Sequence, residues 1–404
     1  MRHLIGRRGA LAGLGSLFAW SYAPRISSAA GARDPRLLVV VLRGGLDGLS
    51  AVVPLGDPAY AERRTGSEMA QAGATLPLDN MFGLNRNMPA LAEMYRAREA
   101  LILHAVATPY RERSHFDAQD LLESGFPSLV RGERTGWLNR TLQQLPRGER
   151  LPPPRGLAIS PMVPLIMSGA APVETWQRQT FRYADDDTIA RLLDLYEARD
   201  PVLAEALRRG AALDGVMQAD PEAMGAPAAR QAGLPDFTTD AAAAARIMAR
   251  PDGPRVAAIS YGGWDTHNNQ GPVQGQLGRG LAALDAALGA LRAGLLPVWR
   301  DTVVAVVTEF GRTVRVNGSL GTDHGVGTVA LLLGGAVRGG RVLADWPGLA
   351  EHQLYERRDL MPTTDLRAVM KGMLAEHLGL EPRLLGRDTF PGSEALRPLQ
   401  GLVG

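Results

Sequence analysis

The chain has 404 residues, with 44 Lys+Arg against 42 Asp+Glu, a formal net charge of +2, 47 Gly, 28 Pro and no Cys. A 45% hydrophobic and 21% charged composition is that of a globular protein and excludes a disordered or collagen-like chain. The missing cysteine excludes a disulfide scaffold, a Cys-ligated zinc site and a thiol nucleophile. The small positive balance admits nucleic-acid binding only if the charges lie on the folded part.

They do not. Residues 1–30 hold Arg2, Arg7, Arg8 and Arg25 and no acidic residue. The Arg7-Arg8 pair precedes a mildly apolar, glycine-diluted run from Gly9 to Ala23 and then the small residues Ser27–Ala32. A basic start, a short apolar stretch and small residues describe a signal peptide, and the twin arginine points to the translocase that exports folded proteins. The run is too short and too rich in glycine to serve as a membrane anchor. Removing the segment turns the net charge from +2 to −2. The expectation is therefore a periplasmic or secreted protein with no stable membrane anchor after cleavage and no nucleic-acid partner.

Along the remaining chain, Arg36–Leu42, Ala100–Val106, Arg255–Ser260, Thr302–Thr308 and Thr328–Leu333 are continuous apolar runs, suited to strands buried on both faces. Helical spacing of apolar residues falls between them, at Pro89–Arg98, Ile189–Arg209, Ala241–Ala249, Gln276–Ala293 and Asp365–Leu378. Buried strands alternating with helices predict one α/β domain over residues 31–404, with a mostly parallel central sheet flanked by helices on both faces. The Ala-rich stretch at about 185–250 reads as a helical insertion or cap. The Pro-rich Leu145–Gly156 reads as a surface connection.

Sites in such sheets lie beyond the carboxyl ends of the strands. The first run is followed by Arg43-Gly44-Gly45-Leu46-Asp47, the run at 255 by Gly262-Gly263-Trp264-Asp265-Thr266-His267, and the run at 302 by Glu309-Phe310-Gly311-Arg312. The run at 100 leads to Arg113-Ser114-His115-Phe116-Asp117, and Gly321-Thr322-Asp323-His324-Gly325 stands just before the run at 328. Carboxylates and imidazoles arriving from separate strand ends are what a divalent cation needs when no thiolate is present. Three of the six histidines beyond residue 30, His115, His267 and His324, fall in these loops. Each piece has a plainer reading: Asp47 as a turn former, Glu309 as the partner of Arg312, Ser114 with Asp117 as a helix cap. His104, His352 and His377 read as structural.

The stretches LRGGLDGLSAVVP, PYRERSHFDAQDLLESG, SYGGWDTHNNQG, VVTEFGRTVRVNGSLGTDHGVGT, GGAVRGGRV and TTDLRAVM resemble, in order from about residue 36 to 378, the bacterial twin-arginine-exported family known as domain of unknown function 1501. That family is similar to the alkaline phosphatase-like superfamily, whose members hold two metals at strand ends and transfer phosphoryl or sulfuryl groups. The resemblance implies that Asp47 is the first-strand metal aspartate and that Ser114 stands at the nucleophile position. Asp265 and His267 match one metal site, Glu309 replaces a later aspartate, and His324 matches the late histidine. Phe310 occupies a position where a histidine ligand usually stands, which implies one metal or an altered pair. No C/S-x-P-x-R sequence occurs, so a formylglycine nucleophile is not available.

Two functions follow as expectations. One is metal-dependent hydrolysis of a phosphate or sulfate ester, with one or two divalent ions (zinc, manganese or calcium) per chain. Asp47, Asp265, His267, Glu309, Asp323 and His324 would be the metal residues, Ser114 the nucleophile and His115 a general acid, with Arg312 and Arg113 holding the anionic ester. The other is a non-catalytic exported envelope or assembly factor that keeps the fold and one structural metal.

Overall fold

The computed structural model describes residues 33–404 except 72, 131, 146–154, 179–185 and 219–236. The expected signal segment, 1–30, and most of the expected connection at 145–156 lie outside the described residues. Pro35–Gly404 forms a single compact unit.

Twelve strands are described. In chain order they are β1 Arg36–Arg43, β2 Val52–Val53, β3 Thr75–Pro77, β4 Gly83–Asn85, β5 Ala100–Ala107, β6 Gly156–Ile159, β7 Val173–Trp176, β8 Val256–Gly262, β9 Thr302–Thr308, β10 Thr328–Leu333, β11 Arg341–Leu343 and β12 Thr364–Asp365. β2, β3 and β4 make a small separate sheet; the other nine form the central one, in the order β11-β5-β10-β9-β1-β8-β6-β7, with β12 also on β5. All five expected apolar runs are strands of this sheet, which is mostly parallel and flanked by helices. β6, β7, β11 and β12 are too short to stand out from their surroundings in the sequence.

One strand runs the other way. β10 pairs antiparallel with both β5 and β9, whereas β1 is parallel to β8 and β9. Its first residue, Thr328, therefore lies at the edge where β1, β5, β8 and β9 end. That reversal explains how residues preceding β10 join loops that follow the other strands.

The two faces of β1 divide the core. Leu38, Val40 and Leu42 face one side with the helices Phe237–Ala249 and Gln276–Gly294, while Leu37, Val39 and Val41 face the other with Trp137–Gln144 and Leu366–Leu378. All six are buried, and each such side chain contributes about 1.5–3 kcal/mol relative to exposure. Burial on both faces is why these runs lack polar alternation.

Three helices, Asp186–Arg199, Pro201–Gln218 and Phe237–Ala249, occupy the expected insertion. The single helix expected over 189–209 divides at Pro201, which lacks the N–H needed inside a helix. Asp200 accepts there from the backbone N–H groups of Val202 and Leu203, at 3.1 and 3.0 Å, and so caps a new helix. Phe237–Ala249 is no peripheral addition: Ala241, Ala243–Ala245, Ile247 and Met248 are core residues, and Phe237 stacks on Tyr261 of β8 at 4.2 Å.

His104, in the middle of β5, is structural as expected and also titrates. It is fully buried, stacks on Phe82 and meets the edge of Trp346. Its Nε2 lies 3.0 Å from the Val52 carbonyl, to which it donates, and its Nδ1 accepts from the Ala105 N–H at 2.8 Å. Only the neutral ring can do both, and burial brings its pKa down to about 4. The unfolded chain takes up this proton near pH 6.5 and the folded one only near 4. Stability is thus full above 6.5 and falls by roughly 3 kcal/mol between those values. Urea midpoints at pH 7.5 and 5 are expected to differ less in His104→Gln than in wild type. An equal difference in the two proteins would refute this assignment.

Candidate metal centre

The loops at the shared strand edge are held by close backbone approach. After β1 the chain turns through Gly44 and Gly45, with φ of +123° and +70°. A Cβ on Gly44 would lie 2.6 Å from the Asp265 nitrogen, and one on Gly45 would lie 2.5 Å from the Phe310 ring. Only glycine permits both the backbone angle and the contact. After β8, Trp264 is buried with its Nε1 donating to the Tyr261 carbonyl at 3.0 Å, which leaves Asp265 facing outward.

Asp265 Oδ1 is the focus of the cluster. His267 Nε2 lies 2.9 Å from it, His324 Nε2 3.3 Å, His115 Nε2 3.4 Å and Arg312 Nη2 2.5 Å. His267 and His324 approach each other Nε2 to Nε2 at 3.0 Å. Suitable ligand atoms of His115, Asp265 and His324 all lie within 4.8 Å of one another. The Asp265 side chain remains 45% exposed, so the cluster meets solvent.

The other nitrogen of each ring explains the convergence. His115 Nδ1 lies 2.8 Å from Glu309 Oε1, His324 Nδ1 2.8 Å from the Arg113 carbonyl, and His267 Nδ1 3.3 Å from Asp323 Oδ1. Carbonyl and carboxylate oxygens only accept, so each Nδ1 carries the proton and each Nε2 of the neutral ring presents a lone pair. Three lone pairs turned toward one carboxylate repel one another unless a cation or proton lies among them. Among the described residues the buried His115 Nε2 has no well-formed hydrogen bond, its approach to Asp265 Oδ1 being a loose 3.4 Å. A divalent ion bound by imidazole and carboxylate fits both this orphaned atom and the donor set, and the Nδ1 partners are the outer hydrogen bonds that orient metal-bound histidines.

The charges are tuned to match. Burial alone would raise the Asp265 pKa, but the Arg312 hydrogen bond and charge, with His267 and His115, hold it down at about 2. Burial likewise opposes ionisation of Glu309 and is outweighed by hydrogen bonds from His115, Gln119 and the Gly44 N–H, so its pKa is lowered. His115 is raised, chiefly by its hydrogen bond to Glu309, whereas His324 is lowered, chiefly by burial.

Several expected roles are reassigned by this geometry. Asp47 does not join the cluster. Its carboxylate is buried and accepts two bonds of 2.7 Å from Arg64, one of 2.7 Å from Ser50 and one of 2.6 Å from Gln270, so it stands here as the partner of an arginine. Glu309 and Asp323 stand behind histidines instead of facing the cluster centre. His115, expected as a general acid, is one of the converging nitrogens.

Arg312 is fully buried and its donors are used by the protein. Nε donates to Gly45 O, Nη1 to Thr322 O, and Nη2 to the carbonyls of Gly44 and Trp264 as well as to Asp265. It ties the loops after β1, β8 and β9 together and is not free to hold an ester. Arg113 is engaged too, with Glu356 at 2.5 Å and Asp359 at 2.7 Å. Ser114 is the N-cap of helix His115–Ser124, its Oγ accepting weakly from the Asp117 N–H at 3.5 Å. Phe310 packs against the rings of His115 and His324, at 4.7 and 5.1 Å, as an apolar wall to the cluster.

Sequence reading missed Asp359. Buried completely, it binds Arg113, whose carbonyl receives the His324 proton, and Arg358, which donates to the carbonyl of His324 itself at 3.0 Å. His324 is thereby held from both ends by one carboxylate. Arg113 adopts φ +64°, an unusual left-handed angle that turns its carbonyl to the ring. Asp359 follows two arginines on an exposed turn, with no glycine or histidine nearby to mark it. Gln119, one turn beyond His115, was equally unmarked, yet it donates to Glu309 at 3.0 Å.

An α/β protein with a His/Asp cluster at the carboxyl edge of its sheet is the class these features define. The chain belongs to the family described as "Protein of unknown function (DUF1501)", which matches residues 97–387. No curated protein matches it. Solved structures similar to it include the phosphonate monoester hydrolase of Agrobacterium radiobacter (TM-score 0.41, 10% identity, covering 86% of this chain and 74% of that one). Another is a protein of the alkaline phosphatase superfamily from Vibrio parahaemolyticus (0.40, 12%, 88% and 70%). A third is a Bacteroides thetaiotaomicron protein from a study of glycosaminoglycan metabolism (0.42, 10%, 90% and 75%). Among the described residues no helix is long and apolar enough to cross a membrane.

Proposed function

We propose that the protein is an exported, metal-dependent hydrolase of phosphate or sulfate esters. The observation that supports this best is the convergence of three imidazole Nε2 atoms on the solvent-facing carboxylate of Asp265, each ring with its Nδ1 already engaged. His115, His267, His324 and Asp265 would hold one divalent ion, which supplies polarisation of the ester's phosphoryl or sulfuryl oxygen and a lowered pKa for the attacking hydroxyl. Glu309, Asp323 and the Arg113 carbonyl hold the Nδ1 protons and so aim the three Nε2 atoms. Arg312 compensates the charge of Asp265 from below.

Ser114, adjoining His115, is the candidate nucleophile in this reading, and a water is the alternative. In either case the P–O or S–O bond to the alcohol breaks, the leaving oxygen takes up a proton, and water finally supplies the oxygen of the released anion. The twin arginine near the N-terminus supports export by the translocase for folded proteins, which suits a metal loaded before export and a reaction in the periplasm or outside the cell.

A second reading rests on a specific observation: neither arginine expected to grip an anion is free. This favours a non-catalytic exported factor with a structural metal. Metal analysis of protein purified after native export, followed by a panel of phosphate and sulfate esters on wild type and Ser114→Ala, separates the two. Bound metal with hydrolysis supports the enzyme, with Ser114→Ala deciding between serine and water. Metal without hydrolysis supports the factor, and a protein with neither refutes both.

A further inference from the structure

A groove of about 340 Å³ opens beside the cluster, between residues 66–68, 269–275 and 316–321. Two of its walls grow out of the cluster's own loops. Asn269 follows His267 by two residues, and Gly321 precedes Asp323 by two. The Asn269 N–H donates to Ser319 O at 2.8 Å and the Gln270 N–H to Leu320 O at 2.9 Å, so the walls are joined. Asn317 Nδ2 fastens both to the cluster, through His267 O at 3.0 Å and Asp323 Oδ1 at 3.1 Å.

Among the described residues the lining contains no Lys, Arg or His. The anionic end of a substrate has no partner there, and the carboxylate of Glu68 repels it. What the lining offers is uncharged hydrogen-bonding capacity, from Asn269, Gln274 and Ser67, beside an aliphatic surface of Val316 and the 56% exposed Leu320. Glu68 spends one oxygen on the backbone N–H groups of Val273 and Gln274, which leaves the other as an acceptor. Donors and acceptors spread around an aliphatic strip suit a neutral, rigid ligand bearing several hydroxyl groups, and the volume is within the range of small-molecule sites.

We infer that this groove receives the alcohol portion of the ester and that this alcohol is a sugar. The inference rests on the hydrolase reading: the sulfate or phosphate would lie at the His/Asp cluster and the sugar ring in this groove. Hydrolysis would then release inorganic sulfate or phosphate and return the sugar hydroxyl with its proton.

The test uses the full-length, metal-loaded protein and sugars that carry no ester. Galactose, N-acetylglucosamine and an oligosaccharide of each are titrated by calorimetry. Binding is expected, and Asn269→Gly combined with Gln274→Ala should weaken it at least tenfold. Glycine at 269 keeps the left-handed backbone, φ +43°, that alanine would strain, and an unchanged melting temperature checks that the variant folds. Tighter binding of the oligosaccharide would identify a chain end as the source, and equal binding a single sugar. Wild type that binds none of these sugars, or a double variant that binds them equally well, overturns the inference. Hydrolysis of aryl esters without sugar binding would refute the groove assignment alone, and sugar binding without any hydrolysis would refute only the enzyme.

Discussion

Asp265→Ala is expected to strip the divalent metal from the protein and to lower ester hydrolysis by more than about 100-fold. Replacing the hydrogen-bond partner of a metal-bound histidine typically costs 10–100-fold in affinity or activity, and loss of a direct carboxylate ligand should exceed that. Asp265 Oδ1 lies within 3.4 Å of all three imidazole Nε2 atoms, so its removal takes away the negative charge on which they converge. Arg312 would keep four backbone carbonyl partners, and the loops it ties should remain in place. Metal content per chain, measured by mass spectrometry on folded protein, is the direct readout. Stoichiometric metal retained in Asp265→Ala would remove Asp265 from the ligand set and with it the focus of the proposed site.

The sheet was legible because burial on both faces writes itself as unbroken apolar runs, and all five such runs are strands. Its direction was less so. Nothing in Thr328–Leu333 distinguishes an antiparallel strand from a parallel one, although His324 and Asp323 reach the site only because β10 enters from that edge. The site was legible as a set of loops, since glycine beside aspartate or histidine marks both tight turning and chemistry. The assignment of roles within the set was not. Whether a carboxylate faces a cation, a histidine or an arginine depends on partners far along the chain. Glu309 meets His115 across 194 residues, and Asp47 meets Gln270 across 223. Arg64 follows the short helical turn Tyr60–Arg63, and no local pattern announces that it points inward.

Asp47 separates the expected ligand from the observed ion pair most sharply. If it bound a metal, Asp47→Ala would lower metal content and leave stability nearly unaffected. The structure predicts the reverse. Arg64 is fully buried, and its two bonds to Asp47 are its main compensation, so removing the carboxylate leaves an uncompensated charge in the core. Breaking such a pair costs about 3–5 kcal/mol, which for a domain of this length corresponds to a melting temperature lower by roughly 4–6 °C. Metal content should stay at the wild-type level. Replacing the pair together, Asp47→Leu with Arg64→Met, should recover much of the loss, because no charge is then stranded.

The pH dependence carries a matching sign. Burial opposes the Asp47 charge, but Arg64, Ser50 and Gln270 outweigh it and hold the carboxyl below its ordinary range. A group whose folded pKa is depressed adds stability that is complete above its unfolded value and is lost as pH falls through the folded one. The gap between wild type and Asp47→Ala should therefore be full at pH 7 and narrow only below about pH 4. Melting curves of both proteins from pH 7 to 3 provide the measurement, and a gap that stays constant into acid would contradict the ion pair.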